Sequence, residues 1–275
     1  MNIFADITQA VRRWRELRRM PLRLEFVVTD HCNLNCRGCT HYSPLADEEF
    51  ADSEMLERSI RHLGHTCGMQ TASVYIIGGE PLLYPGLRNA MRAMAEAFPT
   101  SRKYIFTNGL AVRAMSDDFY REMVASDFTM AMTRYPVSYD YDAAIAWCRS
   151  KGANVEVFAD RSAPNTFFRF PLDPNKRQNG HISHFKCYNI GCTSVIGDKI
   201  YPCSISGCVA HLNKAFGTRF EHTEGDWLNV FDVRSATEIK HLISRPVPFC
   251  SYCIQPPIAR PHALSERRAD EWIEK

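Results

Sequence analysis

Cys32, Cys36 and Cys39 stand in the spacing Cys-x3-Cys-x2-Cys. Three thiolates this close can hold three irons of a cubane iron–sulfur cluster, leaving the fourth iron open for chemistry. Zinc sites and electron-transfer clusters usually show four ligands. Two further segments carry residues suited to such a site. Gly78, Gly79, Glu80 and Pro81 follow the run from Ser73 to Ile77, which is β-branched and aromatic enough for a buried parallel strand. A glycine pair lets backbone carbonyls approach a ligand closely, because no Cβ intervenes. An ordinary strand-to-helix turn would use the same residues. Thr107, Asn108 and Gly109 close another short apolar strand that starts at Lys103, and a plain Asn-Gly β-turn is the simpler reading there.

The elements that must position these groups alternate along the chain. Leu22–Thr29, Ser73–Ile77, Lys103–Thr107, Phe128–Thr133 and Asn154–Ala159 read as strands, with a sixth expected within Phe167–Phe170. Asp52–Leu63, Leu87–Phe98, Ser116 to Ala125 and Asp140–Ser150 carry helical spacing between them. Repeated βα units of this length predict right-handed crossovers and a parallel sheet, with ligands at the C-terminal ends of the strands. All three motifs fall at such ends. Beyond Asp160 the period is lost until a hairpin (Thr193–Ile196, Lys199–Tyr201), a helix over Asp232–Ile243 and the pair Cys250 and Cys253.

Composition sets the frame. The 275 residues, 45% hydrophobic with a net charge of +2, suit one barrel-like domain plus an appendage and give no global sign of nucleic-acid binding. No apolar run reaches membrane-spanning length and no signal-peptide core is visible, so a cytoplasmic protein is expected. Eleven cysteines then point to metal or redox chemistry before disulfides. Cys148, next to Trp147 on an apolar helix, reads as a core residue, and Cys67 carries no strong signal. Residues 1–21 place Ile3, Ile7, Trp14 and Leu17 at helical spacing among arginines, an amphipathic helix for packing or docking.

The triplet, Gly78-Gly79-Glu80-Pro81 and Thr107-Asn108 together resemble the radical S-adenosylmethionine (radical SAM) enzymes. The resemblance implies an α/β fold, a partial (β/α)6 TIM-like barrel over residues 22–180. It implies a [4Fe–4S] cluster on Cys32, Cys36 and Cys39, with SAM chelating the open iron. Gly78, Gly79, Glu80 and Pro81 would receive the SAM amine, and Thr107 and Asn108 its ribose and methionine. Many members carry an aromatic residue before the third cysteine. Gly38 stands there in this chain, so His41 or Tyr42 is expected to take over that contact.

Residues 181–275 resemble the twitch domain, a hairpin and helix that bind an auxiliary [4Fe–4S] cluster through Cys187, Cys203, Cys250 and Cys253. Five residues separate Gly197 from Cys203 where the family usually has four, so Cys192 is an alternative first ligand. A structural zinc site is the rival, since a hairpin plus Cys-x2-Cys is also a zinc-ribbon design. The resemblance further implies reductive cleavage of SAM to a 5′-deoxyadenosyl radical, a small-molecule substrate and a flavodoxin- or ferredoxin-type electron donor. The spacings are similar to aminocyclitol and sugar enzymes, including 2-deoxy-scyllo-inosamine dehydrogenase and the sugar epimerases. Oxidation would use the auxiliary cluster, with Arg169 as participant in proton removal. Epimerisation would use Cys192 or Cys208 as hydrogen-atom donor. A peptide-modifying or activating enzyme, and a non-catalytic iron–sulfur or zinc protein, are the alternatives.

Overall fold

The computed structural model describes residues 12, 14–158 and 166–274. Four βα units and a fifth strand come first: β1 (Leu22–Thr29), α1 (Ser53–Cys67), β2 (Thr71–Gly78), α2 (Leu87–Ala97), β3 (Arg102–Thr107), α3 (Asp117–Ala125), β4 (Phe128–Thr133), α4 (Tyr141–Ser150) and β5 (Asn154–Phe158). They form a parallel sheet in the order β5-β4-β3-β2-β1. Three of the four expected helices begin at a side-chain cap, while α2 starts after Gly86 without one. Asp52 accepts from the Met55 amide, Ser116 from Phe119 and Asp140 from Ala143, each meeting one orphan donor of a first turn.

Strand alternation divides the molecule into two faces. Leu24, Phe26 and Val28 of β1, Val74 and Ile76 of β2, Ile105 of β3 and Met130 and Met132 of β4 pack under the helices. The intervening residues face the barrel interior, where Tyr75 and Tyr104 stack at 5.1 Å and Arg23 lies 4.3 Å over the Tyr75 ring. Side chains of period 2 thus build an apolar outer core and an inner surface that holds polar groups.

The chain then leaves the expected plan. β6 (Thr166–Arg169) does not join the barrel sheet. It pairs antiparallel with β10 (Ile258–Pro261) in a separate two-stranded sheet. The sixth parallel strand is β7 (Thr193–Ile196), which pairs with β1 through Leu24–Thr193 and Phe26–Val195. β8 (Lys199–Tyr201) and β9 (Leu228–Asn229) continue that sheet antiparallel. The hairpin expected in the C-terminal appendage is therefore continuous with the barrel. The expected helix over Asp232–Ile243 is shorter, α8 (Ala236–Ile243), with a 3-10 turn at Val230–Asp232 before it. Between these lie α5 (Gly180–Phe185), α6 (Ser204–Gly207) and α7 (Val209–Phe216), which the sequence pattern had not marked.

Arg12 and residues 14–19 are helical with Leu17 buried, the helix stops before Met20, and residues 1–11 and 13 lie outside the described residues. Among the described residues no helix is long and apolar enough to cross a membrane.

α1 and α2 touch at Gly64, where a Cβ would come within 2.6 Å of both Cβ and the carbonyl oxygen of Ala97. Overpacking of this kind costs more than the helix propensity that alanine gains. Gly64→Ala should lower the unfolding free energy by about 1–2 kcal/mol, read from the urea midpoint at unchanged m-value.

Candidate active site

The site forms where β1, β2 and β3 end. Gly78 and Gly79 press against the backbone that leads into the cysteine loop. A Cβ on Gly78 would lie 1.9 Å from the Thr29 carbonyl oxygen, and one on Gly79 2.2 Å from that of His31. The approach is sealed by two hydrogen bonds, Gly79 N–H to Thr29 O (2.7 Å) and Glu80 N–H to His31 O (2.9 Å). The glycine pair is thus required for backbone-to-backbone contact, whatever it also offers a ligand.

Glu80 departs from its expected role. Its carboxylate is fully buried and lies outside the cavity wall. Oε1 accepts from the Leu82 amide (3.0 Å) and the Thr107 hydroxyl (2.7 Å), and Oε2 from the Asn108 amide (2.9 Å). Burial pushes its pKa up to about 7 against the pull of these three donors. Glu80 therefore joins the end of β2 to the end of β3, and Pro81, also buried, starts the 3-10 turn after it. Asn108, aligned from the same junction, donates through Nδ2 to Asn33 Oδ1 (2.7 Å) and lies 3.6 Å from Cys32 Sγ.

A cavity of about 280 Å³ opens at this rim and runs into the barrel. Cys32, Cys36 and Cys39 line it together with Gly78, Gly79, Thr107, Asn108 and His41. Its inner wall carries Arg23, Glu25 and Cys192, with Phe106, Tyr135 and Phe167 as the aromatic sides. Arg23 and Glu25 form an ion pair at 2.6 Å, and the Glu25 side chain is buried. Cys192 sits beside that pair. Burial and the Glu25 carboxylate push its thiol up to about 12, so it stays protonated at neutral pH.

A second, smaller cavity is lined by Cys187, Cys203, Cys250 and Cys253. Ser183 of α5 donates to the Cys253 carbonyl (2.6 Å), and Gly180 packs against Ser251, so the helix is set directly on the Cys-x2-Cys turn. Of the two alternatives for the first thiol, Cys187 lines this cavity and Cys192 lines the other.

In both places the donor chemistry suits a metal cluster. Burial raises Cys32 to about 12 and Cys250 to about 11, and it raises Cys36, Cys203 and Cys253 as well. Each group's neighbouring thiols push it further in the same direction. Thiolates gathered in such sites need a cationic metal core to become stable.

Three expected residues lie elsewhere. Tyr42 is buried beneath the loop, its hydroxyl donating to the Ile205 carbonyl, and does not reach the cavity. Arg169 is held by the C-terminal segment: Nε donates to Glu271 O (2.9 Å), Nη2 to Ile273 O (3.2 Å), and Nη1 pairs with Glu274 (2.5 Å). It is not at the cavity wall, and its hydrogen-bonding groups are taken up by the C-terminal segment. Cys208 is buried against Asp30 (3.4 Å) and His41 (3.6 Å), away from the cavity. Asp30 also accepts from His41 Nδ1 (3.0 Å) and His211 Nε2 (2.9 Å). Burial opposes its charge, yet the bonds from His211 and His41 hold it well below the usual carboxylate range.

His262 was missed. Its Nε2 lies 3.2 Å from Cys36 Sγ, brought there by a C-terminal segment with no motif of its own. Burial lowers its pKa.

Residues 22–141 match the family described as a 4Fe-4S single cluster domain. No curated protein matches the chain. Among solved structures it is similar to BtrN in complex with AdoMet and 2-DOIA, at 15% identity and a TM-score of 0.51, over 85% of this chain and 92% of that one. It is also similar to native anSMEcpe with bound AdoMet, at 12% identity and a TM-score of 0.50, over 81% of this chain and 82% of that one. At these identities the likeness is one of fold, the partial barrel of the radical SAM enzymes.

Because three donors converge on Glu80, its loss leaves buried N–H and O–H groups unpaired. Glu80→Ala should cost about 3 kcal/mol of stability, read by chemical denaturation. The raised pKa has its own signature. Between the unfolded carboxyl value and about 7 the folded state binds the extra proton, so this group's contribution falls as pH rises through that window and is flat above it. Comparing the pH dependence of wild type and Glu80→Ala isolates that slope.

Proposed function

We infer that this chain is a radical SAM enzyme that cleaves S-adenosylmethionine reductively and abstracts hydrogen from a small carbohydrate or aminocyclitol. The observation that carries this reading is one cavity in which the cysteine triplet, the Gly78-Gly79 turn, Thr107 and Asn108 meet Arg23, Glu25 and Cys192. Cys32, Cys36 and Cys39 would hold the cluster, and the Gly78-Gly79 carbonyls with Thr107 and Asn108 would position SAM. When bound, these cofactors supply a 5′-deoxyadenosyl radical able to take hydrogen from unactivated carbon. Single electrons would come from a flavodoxin- or ferredoxin-type donor.

The chain's own residues orient the substrate and guard the radical. Phe106, Tyr135 and Phe167 give the cavity aromatic sides that exclude water. Glu25 offers a buried carboxylate to a hydroxyl or ammonium group, and Arg23 beside it offers N–H donors to oxygens. Such a paired donor and acceptor suits a polyol or amino alcohol. BtrN, with the same fold, is complexed with 2-DOIA.

Cys192 favours epimerisation. A protonated thiol on the cavity wall can return a hydrogen atom to the substrate carbon on the face opposite the abstraction. The thiyl radical left on Cys192 then takes one electron from the external donor and one proton to restore the thiol. Oxidation is the second reading, favoured by the four cysteines of the smaller cavity, which would hold an auxiliary [4Fe–4S] cluster as electron acceptor. His41, on the cavity wall and hydrogen-bonded to Asp30, then replaces Arg169 as the group placed to take the hydroxyl proton.

Anaerobically reconstituted protein, given reductant, SAM and a panel of aminocyclitols and sugars, tests the assignment. About eight irons per chain are expected for two cubanes, with 5′-deoxyadenosine rising alongside one substrate. About four irons with one zinc would remove the auxiliary cluster and the oxidation route. Full iron loading without SAM cleavage under any condition would reduce the protein to electron transfer. Cys192→Ala separates the two reactions. For an epimerase it should still form 5′-deoxyadenosine while losing epimer and solvent deuterium incorporation; unchanged turnover to a ketone would identify a dehydrogenase.

A further inference from the structure

We propose that His262 donates a hydrogen bond to the Cys36 sulfur and thereby sets the reduction potential of the cluster held by the Cys32, Cys36 and Cys39 loop. The proposal rests on the assignment of that cluster. It concerns a residue 226 positions away in sequence, on a segment that no site motif includes.

The contact is built rather than incidental. Residues 263–265 run antiparallel to the cysteine loop. Arg37 N–H donates to Ala263 O and Ser265 N–H to Asn35 O, both at 2.8 Å, with Cys36 bridged to Leu264 between them. The segment's far end is fastened too. Trp272 Nε1 donates to the Cys39 carbonyl (2.9 Å), and the buried Glu271 carboxylate accepts from Ser265 (2.5 Å) and from the Glu266 amide (2.7 Å). The His262 ring itself is set against Tyr135 at 5.2 Å and Phe167 at 5.7 Å, both of which line the cavity. Backbone register and ring packing together leave Nε2 at 3.2 Å from Sγ.

The three sulfurs are served differently. Cys32 accepts from the Leu34 amide within its own loop and is approached by Asn108 from β3. Cys39 lies 3.6 Å from the Ser43 hydroxyl, again in its own loop. Cys36 takes its donor from the C-terminal segment. An N–H donor stabilises the more electron-rich reduced cluster over the oxidised one, and so raises the potential. Removing it should make one-electron reduction harder, by about tenfold in the equilibrium, which is ~59 mV for one electron.

Two replacements test this. His262→Phe keeps a ring against Tyr135 and Phe167 and removes the donor; His262→Gln keeps a donor and loses the ring. Both are reconstituted as full chains beside wild type, and iron and sulfide are counted. An EPR-monitored redox titration then follows the signal that changes when SAM is added. The expected result is equal cluster content, a more negative midpoint in His262→Phe, and a midpoint nearer wild type in His262→Gln. Equal midpoints in wild type and His262→Phe would overturn the proposal. So would a cluster lost from His262→Phe but kept in His262→Gln, since the residue would then hold the loop rather than tune it. Wild-type protein that assembles no cluster would instead overturn the assignment of Cys32, Cys36 and Cys39, a separable outcome.

Discussion

The rim of the barrel depends on one close approach, that of Gly78 and Gly79 to the backbone of Thr29, Asp30 and His31. Two strands that run side by side must separate their side chains at the C-terminal rim, yet here their exit segments touch. Only a residue pair without Cβ atoms allows it, and Gly78 also takes a φ of +152°, which other residues rarely adopt. From that contact the other features follow. The amides of Gly79 and Glu80 bond to β1's exit, Glu80 is turned inward to Thr107 and Asn108, and Asn108 is aimed at Asn33 and Cys32. The cysteine loop is thereby registered against both β2 and β3 before any cofactor arrives.

Charge is the second constraint. The outer core is hydrocarbon, while the two thiol-lined cavities gather groups that burial keeps protonated. Elsewhere the fold balances its buried charge with protein partners. Asp30 has two histidines, and Asp173 has the Arg177 guanidinium and the Gln178 amide. Within the triplet and within the four-cysteine set, by contrast, neighbouring thiols oppose one another's ionisation. That difference separates a metal centre from an ordinary buried polar network.

Much of this was legible in the sequence because it is local. Strand and helix positions through residue 158 follow from periodicity and from capping residues such as Asp52, Ser116 and Asp140, and the triplet announces itself by spacing. The four cysteines around the smaller cavity were named through the resemblance to the twitch domain, with Cys192 left open beside Cys187 until the two were seen to line different cavities. What could not be read depends on contacts distant in sequence. Phe167–Phe170 has strand composition, but its partner is a strand some ninety residues later, so composition placed it in the wrong sheet. Arg169 looked free for chemistry because two of its acceptors are carbonyls of Glu271 and Ile273, which have no side-chain signature, and the third, Glu274, lies 105 residues away. Glu80 was expected at the ligand because a motif fixes a residue's place in the chain, not the direction of its side chain. His262 lies in a tail without period or motif, and only the backbone pairing of residues 35–37 with 263–265 brings it to a sulfur.

The parallel pairing of β7 with β1 also bears on how the chain acquires its structure. β1 is made before every other strand among the described residues, and one of its two edges is closed by residues 193–195. During synthesis that edge would wait, with unpaired amides and carbonyls flanked by Leu24, Phe26 and Val28, until about 170 further residues had followed. An unfinished edge on an apolar strand invites pairing with another chain, and long-range parallel contacts form slowly. The nascent protein is therefore most prone to aggregate after its βα units have left the ribosome and before β7 emerges. Chaperone occupancy in that interval, rather than the stability of the finished barrel, would then limit how much protein a cell obtains.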